Sequence, residues 1–346
     1  MMKHYLKRLI NRAFKPLLVG ALTLSANWAS AQLTGAYTID PSVAASSTNF
    51  QTWAALATYF NTNGISGATT VTVKGDDIAG TSAVTFTQHS SKPTTSTYTL
   101  TIDGGGKKLA SSYAYEVLGF NGMDYVTVKN TVIENTNTSY YQSCIRMYAA
   151  ADYNTIKTCT LQMSGLTTGS TAGAAYFAFS STASALNTTS TTHNGSYNTI
   201  DGCLMRTTNV NSPGPTWAIL DLQGTSYYSS TASNNTFSNN TIQNFYYKGI
   251  QNYYTNGEQF LNNDFSRSNA TSNNCSQTMQ LVYSTYTYST SRSTLIDGNK
   301  FHDLPYSGGS SSNSLSSTVY GIIGQYNTGT STNYFTVTNN VMTNIH

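Results

Sequence analysis

Asp103, Asp201 and Asp297 are carboxylates in a recurring context, each preceded by Ile and followed by Gly. Carboxylates paired on one face can cleave a glycosidic bond, one as acid and the other as base or nucleophile, and the same oxygens can hold calcium. If the three triplets are equivalent in a repeated fold, they form an acidic row, and that row is the catalytic candidate. Asp-Gly is also a common turn pair, so the structural alternative is that these carboxylates fix turns. Other catalytic constellations are missing. His193 and His302 have no acidic or Cys neighbours at metal-ligand spacing and read as exposed turn residues, so no metal or other cofactor is expected; calcium has only the Asp triplets in its favour. Arg146 and Arg206 could each serve a lyase as base, but a single Arg near a strand is usually a surface or salt-bridge residue. Asp76-Asp77 reads as a turn, and no Gly-x-Ser-x-Gly elbow activates any of the many serines.

Binding chemistry has more to work with, because the chain carries 26 tyrosines. Tyr140-Tyr141, Tyr227-Tyr228, Tyr246-Tyr247 and Tyr253-Tyr254 are adjacent pairs, and Tyr283, Tyr286 and Tyr288 follow them. Side chains alternate along a strand, so one member of each pair faces outward. Tyr228, Tyr247, Tyr254 and Tyr286 are therefore the candidate ligand contacts, giving rigid aromatic surface suited to an extracellular glycan or a surface protein. Strand propensity and lateral packing are the plainer explanation of the same residues.

These side chains need a scaffold, and a repeat supplies one. Ile156, Ile200, Phe237, Phe260, Ile296 and Val337 each have Asn or Cys three residues later (Cys159, Cys203, Asn240, Asn263, Asn299, Asn340) and an apolar residue five later. The anchors are 44, 37, 23, 36 and 41 residues apart, so the period is a minimum length plus insertions. The Ser/Thr/Asn/Gly tracts 165–173, 180–195, 266–276 and 307–317 read as those insertions. Segments 100–109 and 125–135 fit more loosely. A second strand family (144–148, 175–179, 217–220, 279–283 and 319–323) lies between anchors. The pattern predicts an all-β solenoid, a single-stranded right-handed parallel β-helix whose coils stack at about 4.8 Å. Residues at plus three form a ladder in which each Asn amide bonds the coils above and below, and Cys substitutes as a small residue.

Composition agrees. Only 9% of residues are charged and 39% hydrophobic, so neutral polar residues carry the surface, too few charges for ordinary disorder. Lys3, Lys7, Arg8, Arg12 and Lys15, the apolar run 16–24 and Ala29-Ser30-Ala31 have the order of an export leader, residues 1–31, cleaved before Gln32. Removing it takes the net charge from +3 to −2 and excludes a nucleic-acid partner, which needs clustered Lys and Arg. No membrane span is expected after cleavage, and the protein is expected to be secreted or at the outer cell surface. Cys144, Cys159, Cys203 and Cys275 allow disulfides in an exported chain, but the equivalent positions of Cys159 and Cys203 favour stacked free thiols. Residues 32–70 are read as an N-terminal cap with a helix at about 49–61, carrying Phe50, Trp53, Ala54, Ala57 and Phe60 inward and capped by Ser47, Thr48 or Asn49. Residues 71–346 are the β-helix. Its sequence stops within a repeat, as in a fragment or a coil capped by a partner.

The segments 35–39, 50–53, 71–73 and 100–106 and the Asn-x-Ile repeats resemble secreted right-handed β-helix proteins of Bacteroidota, in the broad pectin-lyase-like superfamily. The resemblance spans essentially the whole mature chain and implies the fold much more than an activity. Its catalytic members gather acidic residues around calcium and add an Arg or Lys base, and that set does not map onto this sequence residue by residue. The C-terminal sorting domain common in such proteins has no counterpart here. Three functions follow: a surface adhesin or structural scaffold, which the missing catalytic set favours; a polysaccharide lyase or hydrolase; and a non-catalytic glycan-binding module. An enzyme requires carboxylates converging on one face, and a binder requires an outward row of Tyr.

Overall fold

The computed structural model describes residues 31–138, 141–166, 173–181, 193–209, 214–223, 233–267, 279–285, 288–289, 293–304, 319–325, 328–329 and 335–345. Residues 1–30 of the leader, Cys275, Tyr228 and Tyr286, together with most of the insertion tracts, lie outside them. The chain forms a parallel β-helix. Among the described residues, three all-parallel sheets hold eleven, nine and eight strands. Each coil gives one strand to each sheet in turn, as in Val126–Lys129, Val132–Asn135 and Ser143–Tyr148.

The anchors are register partners in unbroken order along the first sheet: Ile156, Ile200, Phe237, Phe260, Ile296 and Val337. The looser segments extend the same column downward through Val128, Ile102 and Val71. The plus-five residues Leu161, Met205, Ile242, Phe265, Phe301 and Met342 form the equivalent column of the second sheet. Vertical stacking of like residues gives ring-on-ring contact, as in Phe237 on Phe260 at 5.1 Å and Phe265 on Phe301 at 4.9 Å.

The corner between first and second sheets explains the motif. The residue two after each anchor is left-handed, with Asn130, Asn239, Asn262 and Asn339 at φ 53–56° and Gly202 and Gly298 at 61° and 67°. Asn and Gly tolerate that conformation best. The turn brings the next residue inward, where Oδ1 of Asn240, Asn263, Asn299 and Asn340 accepts the backbone N–H of Cys203, Asn240, Asn263 and Asn299 at 2.9–3.1 Å. The amide nitrogens donate to the anchor carbonyls of the coil below, at 2.7–3.0 Å. Cys159 and Cys203 hold the same place, their thiols toward the Val128 and Ile156 carbonyls at 3.6 and 3.7 Å. They and Cys144 are buried free thiols. Replacing Asn240 with Leu removes an acceptor and a donor while both backbone partners stay buried, so a loss of about 1–3 kcal/mol is expected in urea melts; wild-type stability in that variant counts against the ladder.

A second ladder occupies the corner before each anchor, where Asn154, Asn198 and Asn235 accept the N–H groups of Val126, Asn154 and Asn198 at 2.8–2.9 Å. Glu258 continues it by accepting from Asn235.

Third-sheet strands do not alternate simply. Ala218-Ile219, Leu281-Val282 and Cys144-Ile145 are successive residues that both lie in the interior, while Trp217, Leu220 and Leu222 face out and form a separate apolar cluster with Ala175 and Ala178. One outward row therefore reads Glu116, Ser143, Ala175, Trp217, Lys248, Gln280 and Tyr320, one residue per coil.

Helix α1, Trp53–Asn63, buries Trp53, Leu56, Ala57 and Phe60, and the Phe60 ring meets Phe86, the first ring of the third sheet's interior column. It begins later than periodicity predicts because Asn49–Phe50 is a short strand paired with Thr38–Ile39. Its N-cap is Thr52, whose hydroxyl accepts from Ala55 N–H at 3.0 Å, and Asp77 accepts from Trp53 N–H at 2.6 Å. Leu56 takes the inward place expected of Ala54.

Candidate functional site

The residue three before the anchor is also left-handed, and here three tyrosines take the conformation: Tyr125, Tyr153 and Tyr197, at φ 51°, 56° and 57°. A bulky side chain is uncommon there and costs about 1–2 kcal/mol per residue. The turn projects each phenol from the corner between third and first sheets. Because the coils stack in register, the rings lie face to face, with centroids 4.9 Å apart and planes within 3° at both steps. Tyr153 and Tyr197 are each 45% exposed.

The preceding residues add charge beside this row. Asp124 accepts the N–H of Asp152 at 2.9 Å, and Asp152 accepts that of Ser196 at 2.7 Å. His193 Nε2 lies 3.0 and 3.2 Å from the two oxygens of Asp152. The hydrogen bond to Asp152 favours the imidazolium and raises the His193 pKa, while burial raises that of Asp124, with the Asp152 charge adding to it. The corner thus offers hydroxyls, carboxylates and an imidazole in one strip.

The Asp triplets stand elsewhere. Asp103, Asp201 and Asp297 occupy one outward row of the first sheet, but Lys129 and Lys157 separate the first two and Ser238 and Leu261 the second two. At three coils each, the gaps are about 14 Å, too far for joint action on one bond. Each carboxylate instead joins its turn to the next coil. Asp103 pairs with Lys129 at 3.1 Å and accepts from Asn130; Asp201 accepts from Ser238 and Asn239; Asp297 accepts from Thr338 and Asn339. The Thr338 hydroxyl and the Asn339 amide hold the Asp297 carboxyl below its ordinary pKa.

The histidines are not free turn residues, which corrects the sequence-based expectation. Their partners lie one coil away, Asp152 for His193 and Asp264 for His302, whose other nitrogen meets Asp303 at 2.7 Å. Among the described residues no three His, Cys, Asp or Glu side chains form a metal-binding group. Arg146 is buried against Glu116, and Arg206 bonds Gln162.

Of the expected tyrosines, Tyr247 and Tyr254 are half-buried, Tyr247 beside Lys248 and Tyr254 edge-on to Tyr253 at 4.3 Å. Tyr228 and Tyr286 lie outside the described residues. The strand motif does not single out the exposed row, because Tyr153 and Tyr197 open that motif; their identical Tyr-Asn-Thr-Ile context is the one local sign of it.

Among the described residues no helix is long and apolar enough to cross a membrane. No protein-family model matches the chain, and no curated protein matches it in sequence. Among solved structures it is similar to an alginate lyase from Paenibacillus sp. str. FPU-7, with a TM-score of 0.36 and 11% identity over 89% of this chain and 99% of that one. At those values the likeness carries no functional argument, and the parallel β-helix rests on the register of the sheets themselves.

Proposed function

We propose that the protein is exported and binds an extracellular glycan along the Tyr125–Tyr153–Tyr197 corner, serving as an adhesive β-helix. The observation that carries this reading is the exposed phenol stack in an unfavourable backbone conformation, flanked by Asp124, Asp152 and His193. Its hydroxyls recur at the coil spacing, so the strip presents the same donors and acceptors repeatedly, as a chain of repeating sugars requires. Tyr153 and Tyr197, each 45% exposed, offer aromatic surface on which a sugar can pack. Export is supported by the leader-like order of residues 1–31.

Binding without cleavage is preferred because both carboxylates already accept backbone N–H bonds within the coil stack. A carbohydrate-active enzyme is the second reading, favoured by Asp124, whose raised pKa beside a second carboxylate is the environment of a general acid.

A glycan array and a polysaccharide depolymerisation assay test both readings. Asn234 holds the left-handed place one coil above Tyr197, so the double substitution Tyr153→Asn, Tyr197→Asn preserves the backbone. The native chain is expected to retain a glycan that the variant binds about tenfold or more weakly, a difference of roughly 1.4 kcal/mol. No glycan distinguished by the two proteins overturns the site, and release of reducing or unsaturated ends replaces binding with catalysis.

A further inference from the structure

Lys248 lies on the outward row of the third sheet, yet only 8% of it is exposed. Its Nζ sits 4.1 Å from the ring centre of Tyr283 and 4.9 Å from that of Tyr247, and donates to Gln251 Oε1 at 2.9 Å. Among the described residues no carboxylate pairs with it. The chain has fourteen Asp and Glu residues, all of them among the described residues, and none forms an ion pair with Lys248. Neutral partners and two ring faces therefore hold a cation that burial has cost most of its hydration.

Its row neighbours are also incomplete. Among the described residues, Trp217, one coil below and 7% exposed, has an indole N–H without an acceptor, and Gln280, one coil above, has a buried Oε1 without a donor. The three residues are register partners on successive coils, so a cation, an indole N–H and an amide oxygen belong to one outward row. The same burial lowers the Lys248 pKa to about 8, and a bound anion would oppose that shift.

We propose that Trp217, Lys248 and Gln280 form an anion-binding site on the outer face of the third sheet, taking the carboxylate or sulfate group of a ligand whose neighbouring hydroxyl donates to Gln280. The site is separate from the tyrosine corner, and loss of either leaves the other standing. Lys248 and Trp217 hold the anionic group between charge and N–H, and the rings of Tyr247 and Tyr283 shield it from water.

Thermal unfolding of the full chain with inorganic sulfate, glucuronate or glucose at matched ionic strength tests the site. Sulfate or glucuronate is expected to raise the melting temperature and glucose to leave it unchanged; response to one anion alone identifies the group recognised. The response is expected to vanish in Lys248→Met and weaken several-fold in Trp217→Phe, which keeps a ring and deletes the N–H. It should fade as pH rises past about 8 in the native protein and persist in Lys248→Arg, because the guanidinium stays charged. Equal responses in native protein and Lys248→Met, or none to either anion, overturn the proposal. If Lys248→Met fails to fold, an unaltered response in folded Trp217→Phe also overturns it.

Discussion

Glu116→Gln is expected to destabilise the protein by about 3–5 kcal/mol, the cost of leaving a buried charge without its partner. Glu116 and Arg146 are register-offset neighbours on adjacent third-sheet strands, with side chains 5% and 7% exposed. The guanidinium is bidentate, Nη2 donating to Oε1 at 2.8 Å and Nε to Oε2 at 3.1 Å; Nη1 donates to the Ser180 carbonyl of the coil above at 3.3 Å. Its plane also covers the Tyr148 ring at 4.1 Å. The pair thus joins three coils. Urea denaturation at neutral pH measures the loss. The double variant Glu116→Leu, Arg146→Met is expected to recover much of it, since an apolar pair has no charge to strand. A single variant as stable as the native chain means that the guanidinium regains solvent on its own.

The second large effect depends on pH. Along the interior column of the third sheet, Phe120, Met147 and Phe179 give way to Asp221, then Asn252 and Ser284. Asp221 and Glu258 are both wholly buried. Burial pushes the Asp221 carboxyl up from 3.8 to about 7, against the lowering effect of its hydrogen bonds with Gln223, Glu258 and Asn235. Between those values the folded protein keeps a proton that the unfolded chain has released, so stability falls as pH rises through the window. Above about 7 the cost is fully present, on the order of a few kcal/mol. Asp221→Asn is expected to flatten the dependence of melting temperature on pH and to exceed native stability at alkaline pH. The same slope in both proteins assigns the proton to another group.

Much of the scaffold was legible in the amino-acid sequence, for a reason peculiar to solenoids. Each coil repeats the demands of the one below, so the apolar anchor, the left-handed residue and the inward Asn recur at fixed offsets despite variable insertions. Ile156 and Ile200, or Asn263 and Asn299, stack because each meets the same requirement in its own coil. The helical face of Trp53, Ala57 and Phe60 was equally local, although its start was decided by a strand pairing of Asn49–Phe50 that periodicity cannot report.

The candidate sites depended on neighbours along the axis of the solenoid, which no local pattern contains. The shared Ile-Asp-Gly context placed Asp103, Asp201 and Asp297 in one row, but only stacking put Lys129 and Lys157 between the first two. His193 meets Asp152 across 41 residues, and Trp217 meets Lys248 across an insertion. The doubled inward step of the third sheet turned Lys248 outward, and tertiary burial then removed its solvent without supplying a carboxylate. Periodicity along the chain fixes what each coil must bury; which charges and rings meet depends on how many residues intervene before the chain returns to the same face, and only the assembled stack decides that.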